Sequence, residues 1–313
     1  MNTPAKLGAF ALVLALAFGG AALAGAALDP TDPEETAVSH AGDDPGHGQT
    51  GHDDTPAETE HEGDKGGHGD AGPAAGGLAV SQAGYTLEPQ RTFFEPGEPT
   101  RFSFFITDER GRPVRDEFEP EQERELHLIV VRRDTASYQH VHPRKDADGI
   151  WSVELTLTEP GVYRAYADFT IEGTGLTLAT DLFVQGDFQP EPLPEPAATD
   201  SDAGYDVELH TDGARANNES ELTFAVFRAG QPAENLEDYL GAKGHLVALR
   251  DGDLAYLHVH PTAGHDDQAE RHDHDNEVSF AATFPSAGRY RLFLQFKTEG
   301  EIRTVAYTME VPR

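Results

Sequence analysis

This chain of 313 residues carries 56 acidic against 23 basic side chains, and its formal charge of −33 argues against nucleic acid and anionic membrane surfaces as partners. It has no cysteine, which excludes disulfides and thiolate metal sites and leaves histidine, carboxylate or backbone groups to hold any metal ion. With only two methionines, a methionine-rich copper(I) site is excluded as well.

Residues 1–28 are typical of a targeting segment. Lys6 and the α-amine form a small positive region, and residues 7–28 carry no charge. The tripeptide Ala-Leu-Ala at 22–24 satisfies the small-x-small rule for signal cleavage, but the uncharged stretch is also long enough to cross a bilayer. A cleaved signal peptide and a retained anchor are both expected alternatives. Either one places the chain from Asp29 onward outside the cytoplasm, secreted or anchored to the membrane.

Residues 29–77 form a low-complexity segment rich in Gly, Asp, Glu, Ala, Pro and His. It has too few bulky apolar side chains to offset the entropy of ordering, so it is predicted to be a disordered acidic linker. Two roles are open for it: a solvated tether, or a weak collector of metal ions. The second role would use its five histidines, His40, His47, His52, His61 and His68.

Residues 78–188 alternate short apolar runs with turn signals such as EPGEP, DERGRP and DADG, which predicts about seven strands and no helix. Residues 189–200 are a proline-rich linker. Residues 201–313 then repeat the first plan, with PGVYRAYADF in the first copy matching AGRYRLFLQF in the second. A duplicated seven-strand unit of roughly 110 residues predicts an all-β fold of two tandem immunoglobulin-like β-sandwiches.

In both copies a tyrosine, Tyr163 or Tyr290, follows a Gly-x pair at the start of the penultimate strand. Such a residue is either a tyrosine corner, whose hydroxyl bonds back to the main chain, or an ordinary aromatic at a strand start.

One histidine pattern occurs twice: a histidine, twelve residues, then His-x-His-Pro. The first copy has His127, His140 and His142, and the second has His245, His258 and His260. Each copy is predicted to be a β-hairpin, with the turn at 133–136 in the first copy and at 251–253 in the second. Since side chains alternate along a strand, this register places the first histidine opposite the last, with the middle one diagonal on the same face.

Three converging imidazoles suit Cu²⁺ or Zn²⁺, so each hairpin is predicted to bind about one such ion. The alternative is that these are packing histidines bonded to the backbone, which the duplication would have copied along with the fold. The loop after the second hairpin is longer than its counterpart and rich in acidic residues. It either supplies accessory ligands, His265, His272 and His274, or is another solvated acidic loop.

No nucleophile elbow, phosphate loop or dinucleotide fingerprint is present, so the chain is not expected to be an enzyme. The blocks LHLIVV…QHVHP and GHLVAL…LHVHP resemble a group of bacterial exported or membrane-anchored tandem β-sandwich proteins. More remotely they resemble YtkA-like and copper-resistance CopC-like periplasmic domains. This resemblance implies copper handling, although no methionine-rich carrier segment is present.

Two functions are therefore expected. The first is extracytoplasmic, non-enzymatic binding of copper or zinc by the three-histidine hairpins. The second is a structural or interaction module of the cell envelope. No protein partner is indicated by the sequence.

Overall fold

A computed structural model describes residues 76–234, 236–257, 259–262 and 276–313, with the side chain of His260 excepted. The predicted targeting segment, 1–28, and residues 29–75 of the predicted linker 29–77 lie outside the described residues. The last two residues of that predicted linker are bonded to the folded part, Gly76 to Tyr256 and Gly77 to Thr177. The described residues form strands and turns, which confirms the all-β prediction. In the part of the chain that is described, no helix is long and apolar enough to cross a membrane.

The first domain is a sandwich of two sheets. Its strands are β1 (Ser81–Gln82), β2 (Tyr85–Pro89), β3 (Phe93–Phe94), β4 (Thr100–Thr107), β5 (Phe118–Glu119), β6 (His127–Arg132), β7 (Tyr138–Val141), β8 (Arg144–Lys145), β9 (Trp151–Leu155), β10 (Gly161–Ile171) and β11 (Thr174–Val184). One sheet has the order β1-β2-β4-β9-β8. The other has the order β3-β11-β10-β6-β7, with β5 paired to the end of β10. The chain crosses between sheets from β4 to β6 and from β9 to β10, as in an immunoglobulin-like Greek key.

The second domain repeats this plan. Its strands are β12 (Thr199–Asp202), β13 (Tyr205–Thr211), β14 (Glu219–Arg228), β15 (Gln231–Pro232), β16 (Leu236–Glu237), β17 (Gly244–Arg250), β18 (Tyr256–Leu257), β19 (His260–Pro261), β20 (Glu277–Thr283), β21 (Gly288–Thr298) and β22 (Glu301–Val311). One sheet has the order β12-β13-β14-β20-β19, with β15 on β14, and the other contains β16, β21, β17, β18 and β22. Both domains end in a hairpin of two eleven-residue strands, β10–β11 and β21–β22.

The alternation predicted for the penultimate strand is present in β21. Its residues Tyr290, Leu292, Leu294 and Phe296 point into the core of the second domain. The opposite face of β21 is buried too, because Phe293 packs against the first domain. A strand buried on both faces has a nearly continuous apolar sequence. Strand β6 of the first domain, with the sequence HLIVVR, is buried on both faces in the same way.

A third apolar cluster lies between the two domains. It joins the outer faces of the β6–β10 and β17–β21 sheets, and we call it the interdomain face. Its buried members are Ile129, Val131, Tyr166 and Ala179 of the first domain and Val247, Leu249, Leu254, Tyr256 and Phe293 of the second. The domains therefore pair through equivalent sheets.

Two aromatic contacts show that this pairing is approximately two-fold. Tyr138 stacks on Phe293 with ring centroids 4.1 Å apart, and Tyr256 lies against Tyr166 at 5.6 Å. Tyr138 and Tyr256 occupy matching places in the repeat, as do Tyr166 and Phe293. Each domain thus offers the same surface to the other, as the subunits of a symmetric dimer do.

Both tyrosine corners are present. The Tyr163 hydroxyl donates to the carbonyl oxygen of Glu159 at 3.0 Å, and that of Tyr290 donates to the carbonyl oxygen of Ser286 at 2.9 Å. Each bond ties the start of the penultimate strand to the turn before it.

Tyr163→Phe is expected to lower the free energy of unfolding by about 1 kcal/mol, the usual net contribution of one hydrogen bond, because the Glu159 carbonyl loses its donor. Tyr138→Phe is the matched control. The buried hydroxyl of Tyr138 has no hydrogen-bond partner among the described residues, so its removal should leave stability unchanged or raise it. Urea unfolding of both variants measures the difference, and equal losses would contradict the assigned role of the corner.

Candidate metal centre

The first hairpin, β6–β7, has the predicted register. Leu128 pairs with Val141 and Ile129 with His140, which places His127 opposite His142. The turn falls at 133–136, with Thr135 in the left-handed region at φ 65°. Since the odd-numbered residues of β6 face outward, the histidines of this hairpin lie on the interdomain face rather than in the core of the first domain.

The rings of His127, His140 and His142 converge as predicted. His127 Nδ1 lies 3.1 Å from His140 Nε2 and 3.2 Å from His142 Nε2. One nitrogen from each of the three rings lies within 4.8 Å of the other two. A tetrahedral ion with metal–nitrogen bonds of about 2.0–2.1 Å separates its ligands by roughly 3.3 Å, so the spacing is close to that of a coordination site.

Hydrogen bonds behind the rings fix which nitrogen faces inward. His127 Nε2 lies 3.0 Å from the carbonyl oxygen of Glu121, which can only accept, so Nε2 carries the proton and Nδ1 presents a lone pair. His140 Nδ1 donates to Gln295 Oε1 at 3.0 Å, which leaves a lone pair on Nε2. Nδ1 of His127 therefore offers a lone pair at the centre of the cluster, where Nε2 of His140 lies at 3.1 Å and Nε2 of His142 at 3.2 Å.

Burial keeps the rings of His140 and His142 neutral. It lowers the pKa of His140 well below its usual value and lowers that of His142 to about 3, and in both cases neighbouring histidines add to the effect. Removing an imidazolium from water disfavours its charge, and a second positive ring nearby disfavours it further. Neutral imidazole is the form that binds metal, so His140 and His142 are competent ligands at neutral pH.

His245 of the second domain lies beside this cluster. Its ring centroid is 5.9 Å from that of His140 and 6.2 Å from that of His127. Its Nε2 donates to the carbonyl oxygen of Tyr239 at 2.8 Å, which repeats the bond between His127 and Glu121. Burial lowers the pKa of His245 to about 4.

Of the second predicted triad, the structure describes only the side chain of His245. His258 and the side chain of His260 lie outside the described residues, as do the accessory residues His265, His272 and His274. The linker histidines up to residue 68 also lie outside them. The described histidine of the second triad faces the first triad across the domain boundary, which the sequence did not indicate.

Several polar groups of the site were not predicted from the sequence: Gln295, Gln122 and the turn carbonyls of Glu121 and Tyr239. One signal was available for Gln295. It interrupts the apolar run YRLFLQF at the place where Asp168 interrupts YRAYADF. A polar residue at matching positions of two buried strands indicates a shared polar site on that face.

A family described as Domain of unknown function (DUF8832) matches residues 79–186 and again 198–313, once per sandwich. A search of curated proteins gave no match.

Solved structures similar to the chain include the Escherichia coli adhesin FdeC, at 15% identity and a TM-score of 0.25, with 74% of this chain and 65% of that chain covered. The Yersinia pseudotuberculosis adhesin InvE is 16% identical with a TM-score of 0.23, over 75% of this chain and 61% of InvE. Salmonella alpha-2-macroglobulin is 17% identical with a TM-score of 0.26, over 76% of this chain and 15% of that protein. The chain thus spans less than two thirds of the length of each of these proteins.

Proposed function

The chain belongs to the family described as Domain of unknown function (DUF8832), and we propose that it is an extracytoplasmic, non-enzymatic protein that binds Cu²⁺ or Zn²⁺. The site is the cluster of His127, His140 and His142. Export is supported by the uncharged N-terminal segment, and a nitrogen-only site suits a cysteine-free chain.

The observation that carries the proposal is the convergence of one nitrogen from each of the three rings within 4.8 Å of one another. Here the outer nitrogens of His127 and His140 are bonded to Glu121 and Gln295, and the inner ones face each other. Outer bonds of this kind orient metal-binding histidines and raise their basicity.

His140→Ala is expected to weaken binding of Zn²⁺ and Cu²⁺ by at least about 100-fold, because it removes a metal ligand. Mutation of a residue that only hydrogen-bonds to a ligand usually weakens binding by about 10- to 100-fold. Competition of the full chain against a chromophoric chelator measures this affinity and excludes weak sites elsewhere.

His210→Ala is the matched control. His210 lies on β13 with 61% of its side chain exposed, far from the cluster in sequence, and its nearest charged partner is Glu208 at 3.7 Å. Its loss should leave the affinity unchanged. If His140→Ala and the wild type hold the ions equally, the histidine cluster is not the site.

A second candidate function is a structural module of the cell envelope in which the histidines link the domains. It is favoured by two bonds that cross the domain boundary, His140 to Gln295 and His245 to Gln122. In that case His140→Ala would lower the melting temperature with no metal present, and saturating Zn²⁺ or Cu²⁺ would leave the wild-type melting temperature unchanged. A site that binds metal only in the native state would raise it.

A further inference from the structure

We propose that His245 completes the metal site across the domain boundary, supplying a fourth nitrogen through Nδ1, so that metal binding fastens the two domains together. This inference rests on the proposed function. It specifies four nitrogen ligands instead of three. It also implies that metal binding and the pairing of the domains are coupled.

The hydrogen bond at Nε2 determines which nitrogen of His245 can bind a metal ion. Its Nε2 is bonded to the carbonyl oxygen of Tyr239, so in the neutral ring the lone pair is on Nδ1. His127 is held the same way by Glu121, and its Nδ1 is the atom at the centre of the cluster. The approximate two-fold relation of the domains therefore gives His245 the same ligand atom as His127.

Space for an ion is present between the rings. His127, His140 and His245 line a cavity of about 30 Å³ at the domain boundary, together with Gln122, Asp168 and Tyr256. This is room for a single ion or water. The walls come from both domains, so an ion held there contacts both. His142 is outside this lining and approaches the same centre beside His127, with its Nε2 3.2 Å from His127 Nδ1.

Gln122 covers the remaining nitrogen of His245, since its side-chain amide lies 2.6 Å from Nδ1. Because Nε2 carries the ring proton, this contact is a hydrogen bond when the amide N–H group of Gln122 is turned towards the Nδ1 lone pair. Gln122 sits in the tight turn between β5 and β6 at φ 46°, a left-handed conformation that is costly for residues other than glycine. The second domain has Leu240 at the matching turn position, which carries no amide. Gln122 therefore covers the fourth nitrogen, and an arriving ion displaces a flexible side chain.

An aromatic side chain of the second domain packs against histidines of both domains. Tyr239 lies edge-on to His245 with ring centroids 5.1 Å apart, and edge-on to His142 at 6.2 Å. An ion bound by histidines of both domains keeps all of its ligands only while the domains are paired.

Replacement of His245 tests the inference with Co²⁺ as a spectroscopic probe for zinc. In the full chain, His245→Ala and the more conservative His245→Gln are expected to weaken Zn²⁺ binding by about 100-fold, and to change the visible spectrum of bound Co²⁺. His210→Ala should alter neither measurement. Zn²⁺ affinity and Co²⁺ spectra that are unchanged in both His245 variants would overturn the inference and leave a three-histidine site. Absence of tight Zn²⁺ or Cu²⁺ binding by the wild type would instead overturn the proposed function.

Gln122→Leu, which installs the residue of the second domain, tests the displacement step. Without the competing amide, Zn²⁺ affinity is expected to rise by about tenfold, whereas a tenfold loss would overturn the role given to Gln122. Hydrogen exchange provides a readout of domain coupling. Zn²⁺ should slow exchange of β17 amides in the wild type and not in His245→Gln, and equal slowing in both proteins would overturn the coupling.

Discussion

Val247→Asp is expected to separate the paired domains while leaving each sandwich folded. Val247 is 2% exposed and belongs to the interdomain face, not to the core of the second domain. A carboxylate of similar size would be buried there without a partner, at a cost of several kcal/mol. Separation returns position 247 to water and relieves that cost, because each domain keeps its own apolar core.

Calorimetry and small-angle scattering measure this effect. The wild type should be compact and unfold in one transition, and Val247→Asp should have a larger radius of gyration and unfold in two transitions. Ile302→Asp is the control, since Ile302 lies on β22 of the same sheet but is 45% exposed. A variant that stays compact and unfolds in a single transition at the wild-type temperature would show that pairing does not depend on this face.

The hairpin and its register could be predicted because both follow from local chemistry. Strand alternation places His140 and His142 on one face, and the turn at 133–136 fixes the opposite residue. The tandem organisation was also visible, since repeated motifs of equal spacing fold into equivalent elements. These inferences need contacts only within one hairpin or one repeat.

The pairing of the domains could not be predicted with the same argument. Continuous apolar runs such as LIVV in β6 indicate burial on both faces, but they do not identify what covers the second face. What covers this face depends on the surface of the other repeat. Tyr138 contacts Phe293, and Tyr166 contacts Tyr256. The repeated spacing alone therefore predicted that His245 belongs to a separate cluster, whereas the structure places it beside the cluster of the first domain.

Acidification is expected to destabilise the metal-free protein below about pH 6.5. The pKa values of His140, His142 and His245 are lowered in the folded protein, to about 3 for His142 and about 4 for His245. In the unfolded chain each titrates near 6.5, so the unfolded state takes up protons first as the pH falls. The free energy of unfolding therefore decreases from about pH 6.5 towards the folded pKa values. The limiting slope is about 1.4 kcal/mol per pH unit for each proton, or about 4 kcal/mol per pH unit for three.

Urea unfolding of the chelator-treated protein between about pH 6.5 and 5 measures this slope while most carboxylates remain ionised. At lower pH, protonation of the many acidic side chains also reduces their mutual repulsion, which opposes the loss and would obscure it. His142→Ala should reduce the slope by the contribution of one proton, about 1.4 kcal/mol per pH unit, because one of the three groups that stay neutral in the folded protein is removed. His210→Ala should leave the slope unchanged. A free energy of unfolding that is constant over this range would mean that His140, His142 and His245 accept protons as readily in the folded protein as in the unfolded chain. The neutral, ligand-ready state assigned to them would then be wrong.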